Sequence, residues 1–136
     1  MSQGHGANQY KQTAVKTANR GQILLMLYEA AIQNVKKATV AIDQKKLADK
    51  GVAIGKAHDI VNELMNTLDF DTGGDIARDL ERLYHFMTEQ LIKANMAGSS
   101  DPPAAKEALG VVQKLLETLL DGWRGAVEQV NKGIAK

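Results

Sequence analysis

The chain of 136 residues contains no cysteine, which removes a disulfide framework, a thiolate metal site and a cysteine nucleophile at one stroke, and suits a reducing compartment. Proline is nearly absent, with two residues side by side at Pro102 and Pro103, so little interrupts long helices. Aromatics are scarce: one Trp, three Tyr and two Phe leave no interleaved platform for stacking bases. Neither sign of charge dominates, because 17 Lys and Arg meet 16 Asp and Glu. No summed field would gather nucleic acid or an anionic membrane. No apolar run approaches the roughly 20 residues of a membrane span. The opening MSQGHGANQYKQ lacks the charged and apolar regions of a signal peptide. A cytoplasmic protein without direct membrane insertion is expected.

What the sequence has in quantity is helical periodicity. Leu24, Tyr28, Ala31, Val35, Ala38 and Ile42 step by four and three, and Leu47, Ile54, Val61 and Leu68 recur every seven residues. A third series runs Ile76, Leu80, Leu83, Met87, Leu91, Ala94, and a fourth Ala105, Leu109, Val112, Leu116, Leu119, Trp123, Ala126, Val130. The breaks fall at Asp43 to Lys46, at Gly73-Gly74 and at the run GSSDPP from Gly98 to Pro103. Asn19 with Gln22, and Thr72 with Asp75, have capping-box spacing, and Asp101 ahead of the prolines can cap a fourth helix. Four long helices with short connections predict an all-α, antiparallel four-helix bundle. Residues 9–130 are expected as one domain, with a short N-terminal helix or cap segment around Tyr10 to Ala18, and disordered ends at 1–8 and 131–136.

Chemistry-bearing patterns are thin. There is no Glu-x-x-His pair of the kind that builds a metal site inside a bundle, and His85 with Glu89 flanks the apolar stripe as a solvated pair. Asp69 to Asp75 resembles a calcium loop until its twelfth position, where Leu80 stands in place of a bidentate Glu. Its acids suit helix capping instead. His58 is the sharper candidate, because phosphotransfer domains are four-helix bundles with one exposed histidine; the Asp59 that follows would oppose a phosphoryl group. Lys45, Lys46, Lys50 and Lys56 are interrupted by Asp43, Asp49 and Asp59. Nothing pairs a nucleophile with a base, so no metal, no cofactor and no catalysis are expected.

The surplus lies in GQILLMLYEAAIQ, Gly21 to Gln33. A bundle helix needs an apolar stripe about three positions in seven wide, yet Ile23, Leu24, Leu25, Met26 and Leu27 go right round the axis. Val111, Leu115 and Leu120 lie off the stripe of the fourth helix in the same way. Either the N-terminal segment and a wide core absorb these side chains, or they form a groove for another chain. Five such side chains buried by a partner would supply about 10 kcal/mol gross, against ~2 to 5 kcal/mol for ordering a disordered segment.

The order Tyr10-Lys11-Gln12, Thr17-Ala18, Leu25-Met26-Leu27-Tyr28-Glu29 resembles the opening of the flagellin-specific export chaperones, the FliS family. The likeness continues through Lys56 to Leu64, Leu68, Leu83-Tyr84, Leu91, Ala94-Asn95 and Trp123, and so covers residues 9–127. It implies a non-enzymatic cytosolic chaperone that binds the disordered C-terminal segment of flagellin, prevents premature polymerisation and delivers its client to a flagellar export gate component. It also implies that Tyr10 covers an apolar groove until the client displaces it. Joined to the apolar surplus, the resemblance points to Leu24, Leu27, Tyr28, Ile54, Ile60 and Leu64, with Tyr84, Met87 and Leu91, as partner-binding residues; periodicity leaves open which of them face inward. The rival readings are a phosphotransfer bundle using His58 and a homodimer that hides the groove when unloaded.

Overall fold

The computed structural model describes the backbone of residues 5–97 and 99–135, and the side chains of residues 19–97 and 99–133. Four helices follow one another: α1 (His5–Asp43), α2 (Leu47–Asn66), α3 (Phe70–Ala97) and α4 (Pro102–Ala135). Successive helices pack side by side and α4 returns to α1, while α1 with α3 and α2 with α4 stand diagonally opposed. This is the expected antiparallel four-helix bundle.

The connections are local hydrogen-bond solutions to helix ends. At the close of α1, Lys46 N–H donates to the Ala41 carbonyl (2.8 Å) and Lys45 N–H to that of Ile42 (3.1 Å), the paired bonds of a Schellman motif. Lys45 sits at its left-handed position with φ 60°, where glycine is the usual residue. Before α3, the Asp69 carboxylate accepts from the N–H groups of Asp71 and Thr72 (3.1 Å each) and from the Thr72 hydroxyl (2.8 Å). Thr72 is therefore a donor to the cap and not the cap itself. One turn later Gly74 breaks the helical path at φ 51°, ψ −123°, a conformation only glycine adopts without strain. Asp101 caps α4 as expected, accepting from Ala104 N–H at 3.2 Å, and Pro102 occupies the first turn where no N–H is needed.

Asn19 opens no helix. α1 is continuous from His5, through Asn19 and Gly21, so the segment expected as a separate short helix belongs to the same rod. α4 likewise continues to Ala135, and both helices enter the stretches expected as tails. Where the two long helices meet, an added Cβ on Gly21 would lie 3.0 Å from a methyl of Val127, so the side chain of α4 packs directly on the α1 backbone there. With 39 and 34 residues, against 20 in α2 and 28 in α3, α1 and α4 extend together beyond the turn joining α2 to α3.

The core is built from Tyr28, Val35, Ala38 and Ile42 of α1, Ile54, Val61 and Leu64 of α2, Tyr84, Met87 and Leu91 of α3, and Leu109, Val112 and Leu116 of α4. Along α4 the contact line leaves the strict heptad: Ala126 and Val130 are exposed, whereas Leu120 and Val127 are buried. A straight helix drifts about 20° per heptad, so the residue one step further along takes over the inward position. Lys50 is the unusual core neighbour. It is 7% exposed, and its ammonium donates to the Asn95 carbonyl (3.1 Å) in the last turn of α3, an end that carries partial negative charge.

Candidate functional site

The apolar surplus of α1 divides. Tyr28 is fully buried, Leu24, Leu25 and Leu27 are half-buried against the core, and Ile23 and Met26 remain 54% and 64% exposed. Nothing on α1 itself can cover them, because residues 5–18 continue the helix along its own axis. The expected cover residue Tyr10 lies on that rod, and its side chain is outside the described residues.

Around this open stretch lie two adjoining hollows that share Leu24 and Thr67. One, of about 490 Å³, is bounded by Arg20, Gly21, Ile23, Leu24, Leu27 and Thr67. The other, of about 320 Å³, lies between the α2–α3 turn and α4, with Leu68, Ile76, Leu80, Tyr84 and Trp123 in its wall. Ile76 is 69% exposed because Ala77 takes the inward position on α3. The far end of α2, the α2–α3 turn and the open face of α1 thus make one apolar surface.

Beneath the second hollow Tyr28 and Tyr84 share a hydrogen bond of 2.5 Å across the bundle. Burial raises the pKa of both phenols, Tyr84 more strongly, because the Tyr28 oxygen beside it adds to the cost of its ionisation. The Trp123 indole N–H is buried and makes no hydrogen bond, although it stands near enough to the Tyr28 hydroxyl to favour its ionised form slightly. The two tyrosine hydroxyls meet beneath the hollow, with the Trp123 ring beside them.

The residues expected to bind a partner fall into two groups by placement. Tyr28, Ile54, Leu64, Tyr84, Met87 and Leu91 are buried in the core, and of the six only Tyr84 borders the open surface, in the wall of the second hollow. They occupy the stripe that faces the bundle axis, and spacing alone does not separate that stripe from a groove wall. Leu24 and Leu27 do line the open surface, and Ile60 is half-buried against the core on α2. Ile23, Thr67, Leu68, Ile76 and Trp123 complete the surface and were absent from the expected set. Ile76 carried a signal, being a large apolar residue just after a Gly-Gly break.

The other candidates are spent on structure. Asn62 Nδ2 donates to His58 Nδ1 at 3.1 Å, the ring is half-buried, and Asp59 is exposed beside it. No feature of this arrangement supports phosphoryl transfer. Asp69 is held below the usual carboxylate range by the Thr72 N–H first and the Thr72 hydroxyl next, which is capping chemistry. Among the described residues no three His, Asp or Glu side chains gather as a metal site, and no helix is long and apolar enough to cross a membrane.

Comparison with known proteins gives a family match over residues 3–130, under the description Flagellar protein FliS. The flagellar secretion chaperone FliSB of Pseudomonas aeruginosa is 30% identical over 121 residues, spanning 86% of this chain and 91% of that protein. The flagellar secretion chaperone FliS of Vibrio cholerae is 32% identical over 110 residues, 78% of this chain and 79% of its own. That of Salmonella typhimurium is 31% identical over 114 residues, covering 83% and 80%.

Proposed function

The chain belongs to the family of flagellar protein FliS, and from that premise we propose that it is a cytoplasmic secretion chaperone for flagellin. Its client is the disordered C-terminal segment of flagellin, which it holds as short helical pieces, keeps from premature polymerisation and hands to a component of the flagellar export gate. The observation that carries this reading is the uncovered apolar surface of Ile23, Leu24, Leu27 and Ile76 over the fixed Tyr28–Tyr84–Trp123 floor. A half-exposed isoleucine gains most when a second chain removes it from water, at about 25 cal/mol per Å². Chemistry on the client is not required for such a role, since exclusion of the segment from its own assembly is an effect of occupancy.

Calorimetric titration of the full chain with a flagellin C-terminal peptide tests the proposal. Binding at micromolar concentration is expected, and Ile23→Asp or Ile76→Asp weakens it about tenfold or more by placing a charge in the contact. Both positions are already exposed, so the variants keep their fold. Absence of binding by both the peptide and full-length flagellin would overturn the assignment.

A further inference from the structure

At the opposite end of the molecule a groove of about 540 Å³ runs between α1 and α2. Its lining joins the buried Ala41 and Ala53 to the exposed Val40 and Val52, 51% and 56% accessible. Its rim carries Lys36, Lys37, Lys46 and Lys56, all exposed and, among the described residues, none in an ion pair. Of the acids that interrupt the lysines in the sequence, Asp43 is turned to Lys106 of α4 at 2.8 Å and Asp59 is not part of the lining. Only Asp49 remains on the rim, so four lysines and one aspartate give a local charge of +3 on a chain whose whole net charge is +1.

We propose that this groove docks an acidic amphipathic helix of a second protein, one other than the client held at the apolar end. Two antiparallel helices leave a lengthwise furrow into which a third can lay an apolar ridge, with axes about 8–10 Å apart. Exposed valines with lysine ammonium groups from both sides of the groove match a helix whose apolar stripe is flanked by Glu or Asp. The furrow follows α1 from Gln33 to Gln44, roughly 16 Å at about 1.5 Å per residue, which asks for about three turns of partner. Nucleic acid is the poorer fit, since no aromatic side chain lines the groove and the valines would be left without a use. Leu24 and Val40 are sixteen residues apart on α1, about 24 Å, so the two ends can be loaded together.

The probe is a synthetic helical peptide with leucines at i, i+3, i+4 and i+7 flanked by glutamates, paired with a twin in which every Glu is Lys. Full-length protein is titrated with each by fluorescence anisotropy at low and at high salt. The acidic peptide is expected to bind, to weaken about tenfold or more in the Lys36→Glu, Lys37→Glu, Lys56→Glu triple variant, and to weaken with rising salt. Val52→Asp should weaken it too, and Ile76→Asp at the far end should leave it unchanged. Thermal melting confirms that each variant is folded. Equal binding of the lysine twin, or indifference to the triple variant, would overturn the proposal. So would lysine-dependent binding confined to single-stranded DNA or to phosphatidylserine vesicles, which would give the patch to another class of partner. Loss of acidic-peptide binding with flagellin binding intact separates this site from the chaperone reading.

Discussion

Tyr28 and Tyr84 are 56 positions apart in the chain, and among the described residues their hydroxyls hydrogen-bond to each other. Removing one hydroxyl leaves the other buried and unpaired, so Tyr28→Phe or Tyr84→Phe should each cost about 1–3 kcal/mol in denaturant unfolding. The double variant strands no hydroxyl and should cost less than the sum, which a double-mutant cycle measures directly. Additive costs would show that the bond carries no coupling. The same pair fixes an alkaline limit. Folding raises both phenol pKa values, chiefly by burial, so the folded state keeps protons that the unfolded state releases near pH 10. Stability from this source is complete below about pH 10 and falls as pH rises above it. Phenolate absorbance of these two rings should therefore appear together with unfolding and not before. Their presence on apolar helical faces is legible in sequence, but that they meet is a property of the bundle.

Helix ends were readable wherever local chemistry decides them. Asp101 before two prolines caps α4 in sequence and in structure alike, because its carboxylate needs only its own next residues. Asn19 has equal local credentials and fails, since α1 is already helical from His5 and the Val127 side chain packs on Gly21 just beyond it. Ile76 and Ala126 were expected inward and lie outward by one position each, an error inherent in extending a heptad along a helix of period about 3.6. Of the residues expected to bind a partner, Leu24 and Leu27 line the open surface because the apolar excess on α1 is wider than the stripe, while the six buried ones face the bundle axis. Lys45 offers a test at this scale. A side chain held at φ 60° costs about 1–2 kcal/mol, partly offset by the greater freedom glycine has when unfolded. Lys45→Gly should raise the melting temperature by about 2–4 °C, read by circular dichroism, with the Schellman bonds intact.

For the whole molecule, burial and not charge sets stability. The ion pairs that tie α1 to α4, Glu29 with Arg124 at 3.1 Å and Asp43 with Lys106 at 2.8 Å, are about half exposed on both sides. Each contributes at most about 1 kcal/mol, so molar salt should move the melting temperature by less than about 3 °C in a calorimetric scan. A larger fall would mean that the pairs hold the helices in register. The two ends nevertheless differ in kind. The α2–α3 end gathers uncovered isoleucine and leucine over an aromatic floor, and the α1–α2 end gathers exposed amines beside valine.

Lys50 gives this division a chemical clock. Acylating reagents attack a free amine that they can reach, and its ammonium is enclosed at the Asn95 carbonyl while Lys36, Lys37, Lys46 and Lys56 stand in solvent. In a time course followed by mass spectrometry, the outer amines should be modified first and Lys50 last, at a pace set by how often the α2 and α3 ends part. Its labelling half-time would then report breathing of the bundle, independently of anything docked on the surface.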